Sequence, residues 1–156
     1  MKLTRRQARE IALCLVFDFG FNTEEKPEEL LKLYIEYFPS DSGEKKMADQ
    51  IKDNNYISEV YFGVAEKIDE IDEIIKNNAE KWKFDRISRI SISILRIAIY
   101  ELLYMDDIPL EVSANEAVEL AKKFDHDDCY TFINGVLGSV IKNELPKRNI
   151  GISENE

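Results

Sequence analysis

The amino-acid sequence predicts an all-α protein of two packed helical lobes, with about six to seven helices. Apolar residues recur at helical spacing along most of the chain, and nowhere does a period-two alternation run long enough for a strand. Between residues 86 and 143, three helical segments follow one another across two short breaks, and the first, Arg86 to Met105, is apolar over most of its circumference. At about 100° per residue, Ile87, Ile90, Ile94, Leu95, Ala98, Ile99, Leu102 and Leu103 leave only a narrow strip of Arg89, Ser93, Arg96, Tyr100 and Tyr104. A helix of that kind lies inside its domain with the others around it.

In chain order, Thr4 caps a first helix that runs to about Phe19 and buries Ala8, Ile11, Ala12, Leu15 and Phe19. Lys2, Arg5, Arg6 and Arg9 fall within an arc of roughly 100° beside that stripe, so they are expected to form one surface. Like charges at a helix start repel one another and oppose the macrodipole, so this grouping costs stability. After a break at Gly20 to Lys26, Pro27 opens a second helix to about Phe38, closed by Pro39 and a loop at Asp41, Ser42 and Gly43. The apolar series from Met47 to Ile75 then predicts two helices reaching Trp82, bent at Asp53 to Tyr56 or at Gly63 to Ile68. The acids Glu66, Asp69, Glu70, Asp72 and Glu73 read as a solvated face.

Lys81 to Asp85 is the expected divide between an N-terminal lobe, residues 1–80, and a C-terminal lobe, residues 81–145. Past the central helix, Asp106, Asp107 and Pro109 make a turn, and Ser113 with Glu116 spells a capping box for a helix ending near Phe124. Asp127 or Asp128 is expected to cap the last helix, whose stripe is Phe132, Ile133, Val136, Leu137, Val140 and Ile141. Leu145-Pro146 stops it, and residues 146–156 read as a flexible tail.

With 156 residues, 44% hydrophobic and 33% charged, the chain has the balance of one soluble folded domain. No apolar run approaches the ~18 residues of a membrane span, and the basic start lacks a signal peptide's apolar region, so no membrane association and a cytoplasmic location are expected. Cys14 and Cys129 form no disulfide framework, which suits a reducing compartment. The net charge of −10 argues against wholesale nucleic-acid binding. The acid-free stretch around Lys2, Arg5, Arg6 and Arg9 nevertheless makes a local positive patch that an anion could use.

Little here points to catalysis. The glycines are scattered among helices and form no phosphate loop, and His126 is the only histidine. Consecutive turn residues point apart, so Asp125 to Cys129 reads as an acidic cap, and the expectation is no metal, no cofactor and no catalytic residue. Glu101 projects into the apolar arc of the central helix and must be paired; Asn115 and Asn134 are the amides expected to form a structural polar network with it. Gly135 and Gly138 inside the last helix cost about 1 kcal/mol each relative to Ala, a cost that usually signals close approach of another backbone or a ligand.

Three ordered blocks sharpen this reading: Ile94 to Leu102 followed by Ile108-Pro109, Asn115 to Lys122, and Phe132 to Leu137, preceded by Arg5-Arg6-Gln7-Ala8-Arg9-Glu10. In order and spacing they resemble the bacterial NusB family of transcription antitermination factors, over about residues 4 to 144. The resemblance implies a NusB-like fold and a non-enzymatic role: binding boxA RNA of ribosomal RNA leader transcripts together with NusE, a small-subunit ribosomal protein, and acting on the RNA polymerase elongation complex indirectly. It implies RNA contacts at Arg5, Arg6 and Arg9 and at Asp128 and Phe132; Lys2 joins them on geometry. Phe132 lies at the edge of its stripe, where a ring can stack on a base, and Asp128 can accept from a base amine. Three positions depart from the pattern: Asp125 replaces a helix-ending glycine, Ser113-Ala114 a more apolar pair, and Phe17 a tyrosine. Two alternatives stand beside this one: a structural adaptor or homodimer without direct RNA binding, and an RNA-recruiting module for a ribosomal RNA methyltransferase.

Overall fold

The computed structural model describes residues 2–36, 42–126 and 128–147. Phe38, Pro39, Asp41, Asp127 and the tail from residue 148 onward, all of which entered the sequence reading, lie outside them. The described residues form eight α-helices, one more than the upper expectation, and no strand. The extra helix arises because both proposed bends occur. Asn54 caps a new helix by accepting from the Ile57 amide at 2.9 Å. The Lys67 amide closes that helix onto the Gly63 carbonyl before the next begins at Ile68. Ser42 and Gly43, expected in a loop, belong instead to the first turn of a helix.

Two compact units result, Met1–Lys67 and Ile68–Glu156. In the first, α1 (Arg5–Phe21) packs on α4 (Asn55–Glu66), with α2 (Pro27–Glu36) and α3 (Ser42–Asp53) completing the bundle. Thr4 caps α1 as expected: its hydroxyl accepts from the Gln7 amide, and the Gln7 side chain accepts from the Thr4 amide. Ala8, Ala12, Leu15, Val16 and Phe19 are buried along α1, and Tyr56, Ile57, Val60, Tyr61 and Val64 along α4. The Tyr61 ring meets Phe19 edge-on, while its hydroxyl donates to the Pro27 carbonyl at 2.8 Å and so fixes the start of α2.

In the second unit, α6 (Arg89–Tyr104) is enclosed by α5 (Ile68–Asn78), α7 (Leu110–Phe124) and α8 (Cys129–Asn143). The helix Ile68–Asn78, on the N-terminal side of the expected divide at 80, therefore packs with the later helices. Every residue from Ser91 to Leu103 is buried, including the expected polar strip at Ser93, Arg96 and Tyr100. Desolvated polar groups need partners, and α5 supplies them. The Arg96 guanidinium donates two hydrogen bonds of 2.8 Å to the two oxygens of Asp72, and the Tyr104 hydroxyl donates to Glu70 at 2.7 Å. Part of the acidic run read as a solvated face is thus a partner for α6; Asp69 and Glu73 remain exposed.

Glu101 is buried as expected, but its network is different. The Ser113 hydroxyl donates to Glu101 Oε1 at 2.8 Å, whereas Asn115 and Asn134 are exposed. The reason is register: α7 begins at Leu110 after Pro109, so Ser113 is not a cap but lies on the buried stripe with Ala117, Leu120 and Ala121. Asn115, two residues on, points about 200° away. A second polar cluster ties α5 to α8, where Asn78 Oδ1 accepts from the Ser139 hydroxyl at 2.7 Å and from the Asn143 amide at 3.3 Å.

Two stability predictions follow from these pairs. Asp72→Ala strands a desolvated guanidinium and is expected to lower the unfolding free energy by about 3 kcal/mol, with Arg96→Met/Asp72→Ala recovering much of that loss in urea melts. Equal losses in the single and double variants would contradict it. Ser113→Ala is expected to cost about 1–3 kcal/mol, while Asn115→Ala and Asn134→Ala stay within about 0.5 kcal/mol of the parent; thermal unfolding of the three variants measures the difference.

Candidate nucleic-acid interface

The predicted site residues fall into two groups, one in each unit. Arg5 and Arg6 at the start of α1 are exposed, as is Lys2 ahead of it, but Arg9 is only 4% exposed. Arg5 and Arg9 are four residues apart on one helix face, and both guanidinium groups lie over the buried Tyr56 ring of α4, at 4.7 and 5.5 Å from its centroid. The expectation of four exposed cations on one helix face is corrected: Arg9 is drawn inward, and Lys2 lies ahead of the helix. Tyr56 relieves some of the repulsion among them, because the negative face of an aromatic ring attracts cations. Phe17, half-buried farther along α1, meets the exposed Phe21 ring edge-on at 5.0 Å.

The second group surrounds the start of α8. Asp128 occupies the cap position, but its side chain makes no capping hydrogen bond and is exposed. Phe132, one turn into the helix, is half-buried, and its ring packs against Trp82 at 4.8 Å between centroids and 72° between planes. Lys81, Trp82, Lys83, Arg86, Asp128 and Phe132 line a groove of about 500 Å³, completed by Ser88, Ser91 and Cys129 among others. Three cations and two rings around one groove suit phosphates and unpaired bases better than a buried small molecule. The sequence reading treats Lys81 to Asp85 only as a divide. Its signal is the interleaving of aromatic and basic residues in Lys81-Trp82-Lys83-Phe84-Asp85-Arg86.

Asp125, one of the three departures, organises the floor of this region. Its carboxylate accepts from the hydroxyls of Ser88 at 2.8 Å and Ser91 at 2.5 Å, and from the His126 amide at 2.8 Å. Those bonds join the end of α7 to the start of α6 and to the turn that leads into α8. Burial pushes the Asp125 carboxyl up, but hydrogen bonds from Ser91, the His126 amide, Ser88 and Cys129 outweigh it and leave the group below the ordinary carboxylate value. Burial, together with the nearby Asp125 charge, raises the Cys129 thiol, so this cysteine stays protonated. Among the described residues, no three His, Cys, Asp or Glu side chains are grouped so as to hold a metal ion.

Comparison with known proteins places this geometry in a lineage. The model of the NusB family matches residues 6–142. The transcription antitermination protein NusB of Clostridium novyi (strain NT) is 41% identical over 140 residues, covering 90% of this chain and 99% of its own. Among solved structures, T. maritima NusB superimposes with a TM-score of 0.71 at 33% identity, covering 97% of this chain and 99% of that one. Antitermination factor NusB in a complex with NusE and dsRNA shares the fold with a TM-score of 0.68 at 24% identity, over 88% of this chain and 96% of that one.

The Asp125 cluster carries a pH signature. Its folded carboxyl titrates below the unfolded value near 4, so the charged form stabilises the fold above that pH and the contribution is lost as pH falls through the folded value. The stability difference between the parent and Asp125→Asn is therefore expected to be largest near neutral pH and to shrink on acidification below about 4. Urea melts across that range check it, and a pH-independent difference would contradict it.

Proposed function

The chain belongs to the NusB family, and on that premise we propose that it is a transcription antitermination factor that binds boxA-type single-stranded RNA of ribosomal RNA leader transcripts together with NusE. The observation that carries the reading is the extent of the family match, which runs from Arg6 to Lys142 and so takes in Arg6 and Arg9 of α1 and the aromatic start of α8. A NusB of the same fold is in complex with NusE and dsRNA. Its role is that of a binding protein and not an enzyme, and it acts where the transcript is made, in the cytoplasm. No helix among the described residues is long and apolar enough to cross a membrane.

Each group of residues has a part. Lys2, Arg5 and Arg6 supply positive charge for phosphates, and Arg5 is aligned by its place over Tyr56. Arg9, held against the same ring, keeps α4 and the cationic face in register. Phe132 stacks on an unpaired base, and Asp128, uncommitted to capping, accepts from a base amine. The exposed cations of α1 and of the Phe132 groove, on a body of net charge −10, give weak affinity alone, so tight binding needs the partner; the acidic body in turn suits a basic ribosomal protein.

The test is a salt titration of RNA binding with NusE present. Replacing Lys2, Arg5 and Arg6 together by Gln is expected to weaken binding of all RNAs and to reduce the slope of log K against log salt by about 2. Phe132→Ala is expected to erode the preference for boxA-type over scrambled RNA. An unchanged slope, or equal binding of a boxA-type strand, its scrambled form and the corresponding duplex, would overturn the assignment.

A further inference from the structure

Trp82 is the only tryptophan in the chain, and it is 46% exposed. It stands just past α5, where its amide donates to the Ala79 carbonyl at 2.9 Å. On one side lies the groove that includes Phe132. On the other lies a second groove of about 430 Å³, lined by Asn77, Glu80, Gly135 and Asn143 among others. Lys81 and Trp82 line both, so they form the partition between them. Each volume falls within the range of about 300–1,000 Å³ in which proteins hold small groups.

Gly135 is the anomaly in the second groove. It sits inside α8, is exposed, and a Cβ built on it meets nothing within 4 Å. Packing within this chain therefore gives no reason for glycine there, and alanine would favour the helix. The missing side chain leaves a strip of helix backbone open beside an exposed aromatic ring and the Lys81 cation. That combination fits a ribose or base laid against α8, since close approach of a ligand to backbone is the usual use of such a glycine. The Trp82 and Phe132 rings stand 72° apart and so do not stack face to face, and Trp82 keeps 46% of its surface exposed. Stacking is therefore available beyond Phe132.

We propose that Trp82 is a stacking blade between two nucleotide subsites, and that the RNA path continues from Phe132 over Trp82 to the open backbone at Gly135. The proposal rests on the RNA-binding function above and extends it to a subsite that the sequence pattern did not mark. Lys81 lies where it can meet the phosphate joining the two nucleotides. The Asn77 amide offers the second base a donor and an acceptor, while Asn143, whose amide nitrogen donates to Asn78 and Ser139, offers its oxygen as an acceptor.

Because no other tryptophan is present, the emission of the full chain reports on this residue alone. A boxA-type single-stranded RNA, titrated with NusE already bound, is expected to quench that emission. Trp82→Ala is expected to weaken RNA affinity about 10-fold, the loss of one stacked base, with Trp82→Phe retaining most of it. Gly135→Ala is expected to raise the melting temperature yet lower RNA affinity several-fold, a split that a purely structural glycine would not give. Emission that ignores RNA, with Trp82→Ala binding as the parent does while the Lys2, Arg5 and Arg6 variant is impaired, overturns the subsite and leaves the wider function standing. Quenching by NusE alone, with Trp82→Ala losing NusE instead of RNA, makes the surface a protein contact and also overturns the subsite. Failure of the parent to bind RNA under any of these conditions overturns both.

Discussion

The second unit depends on the requirement that a helix enclosed on every side must find a partner for each polar group it carries. From Ser91 to Leu103, α6 has no exposed residue, yet it contains two serines, an arginine, a tyrosine and a glutamate. Leaving any one unsatisfied costs about as much as a core truncation. Among the described residues every buried side-chain polar atom has a partner. The partners are distributed: Asp72 on α5 for Arg96, Ser113 on α7 for Glu101, and Asp125 beyond α7 for Ser91. Apolar burial holds the neighbours close, and these directional bonds fix the angle and register at which they sit. The position of Trp82 past the end of α5, and of Phe132 at the start of α8, is inherited from that arrangement.

Charge is managed by a second device, the use of aromatic rings as partners for cations. Arg5 and Arg9 share Tyr56, Lys76 lies over Phe84, and Lys122 and Lys123 lie over Tyr130 and Phe124. Lys122 also meets the exposed Glu119 carboxylate at 3.8 Å. A ring attracts a cation through its negative face without adding a countercharge of its own. For the RNA contact proposed above the difference matters, because a cation already neutralised by a carboxylate releases little on contacting phosphate.

Local features were legible in the sequence and tertiary ones were not. Thr4, Pro27, the central position of α6 and the stripes of α1 and α8 depend on propensity and period, which a few neighbouring residues determine. The two candidate bends at Asp53 to Tyr56 and Gly63 to Ile68 were visible as alternatives, and only packing decides that both are used. Helical angles correctly gave Glu101 a buried position, but they carry no information about which residue of another helix comes opposite. Ser113, Asp72 and Tyr56 as partners are therefore beyond the reach of the sequence, and Arg9 falls on the exposed arc of α1 because the ring that draws it inward belongs to α4. The family resemblance supplied Asp128 and Phe132. It was silent on Trp82, whose importance emerges only when the segment after α5 is folded against α8.

The distribution of structural cost points the same way. A sequence selected for stability alone would cap α8 through Asp128, replace Gly135 and Gly138, turn the Trp82 ring inward and keep arginines away from the positive end of α1. Here the core obeys every such rule, with full burial, satisfied polar groups and sound caps at Thr4, Asn54 and Ser88. Violations gather at the start of α1 and on the surface running from Asp128 and Phe132 past Trp82 to Gly135, though the uncapped start of α7 and the exposed Phe21 and Leu33 show that they are not limited to these places. Consistency across levels is what makes a chain fold, so features that lower stability persist where something other than folding selects them. On this chain two such places are a cationic helix start and an aromatic surface beside open backbone, the chemistries with which proteins hold single-stranded nucleic acid.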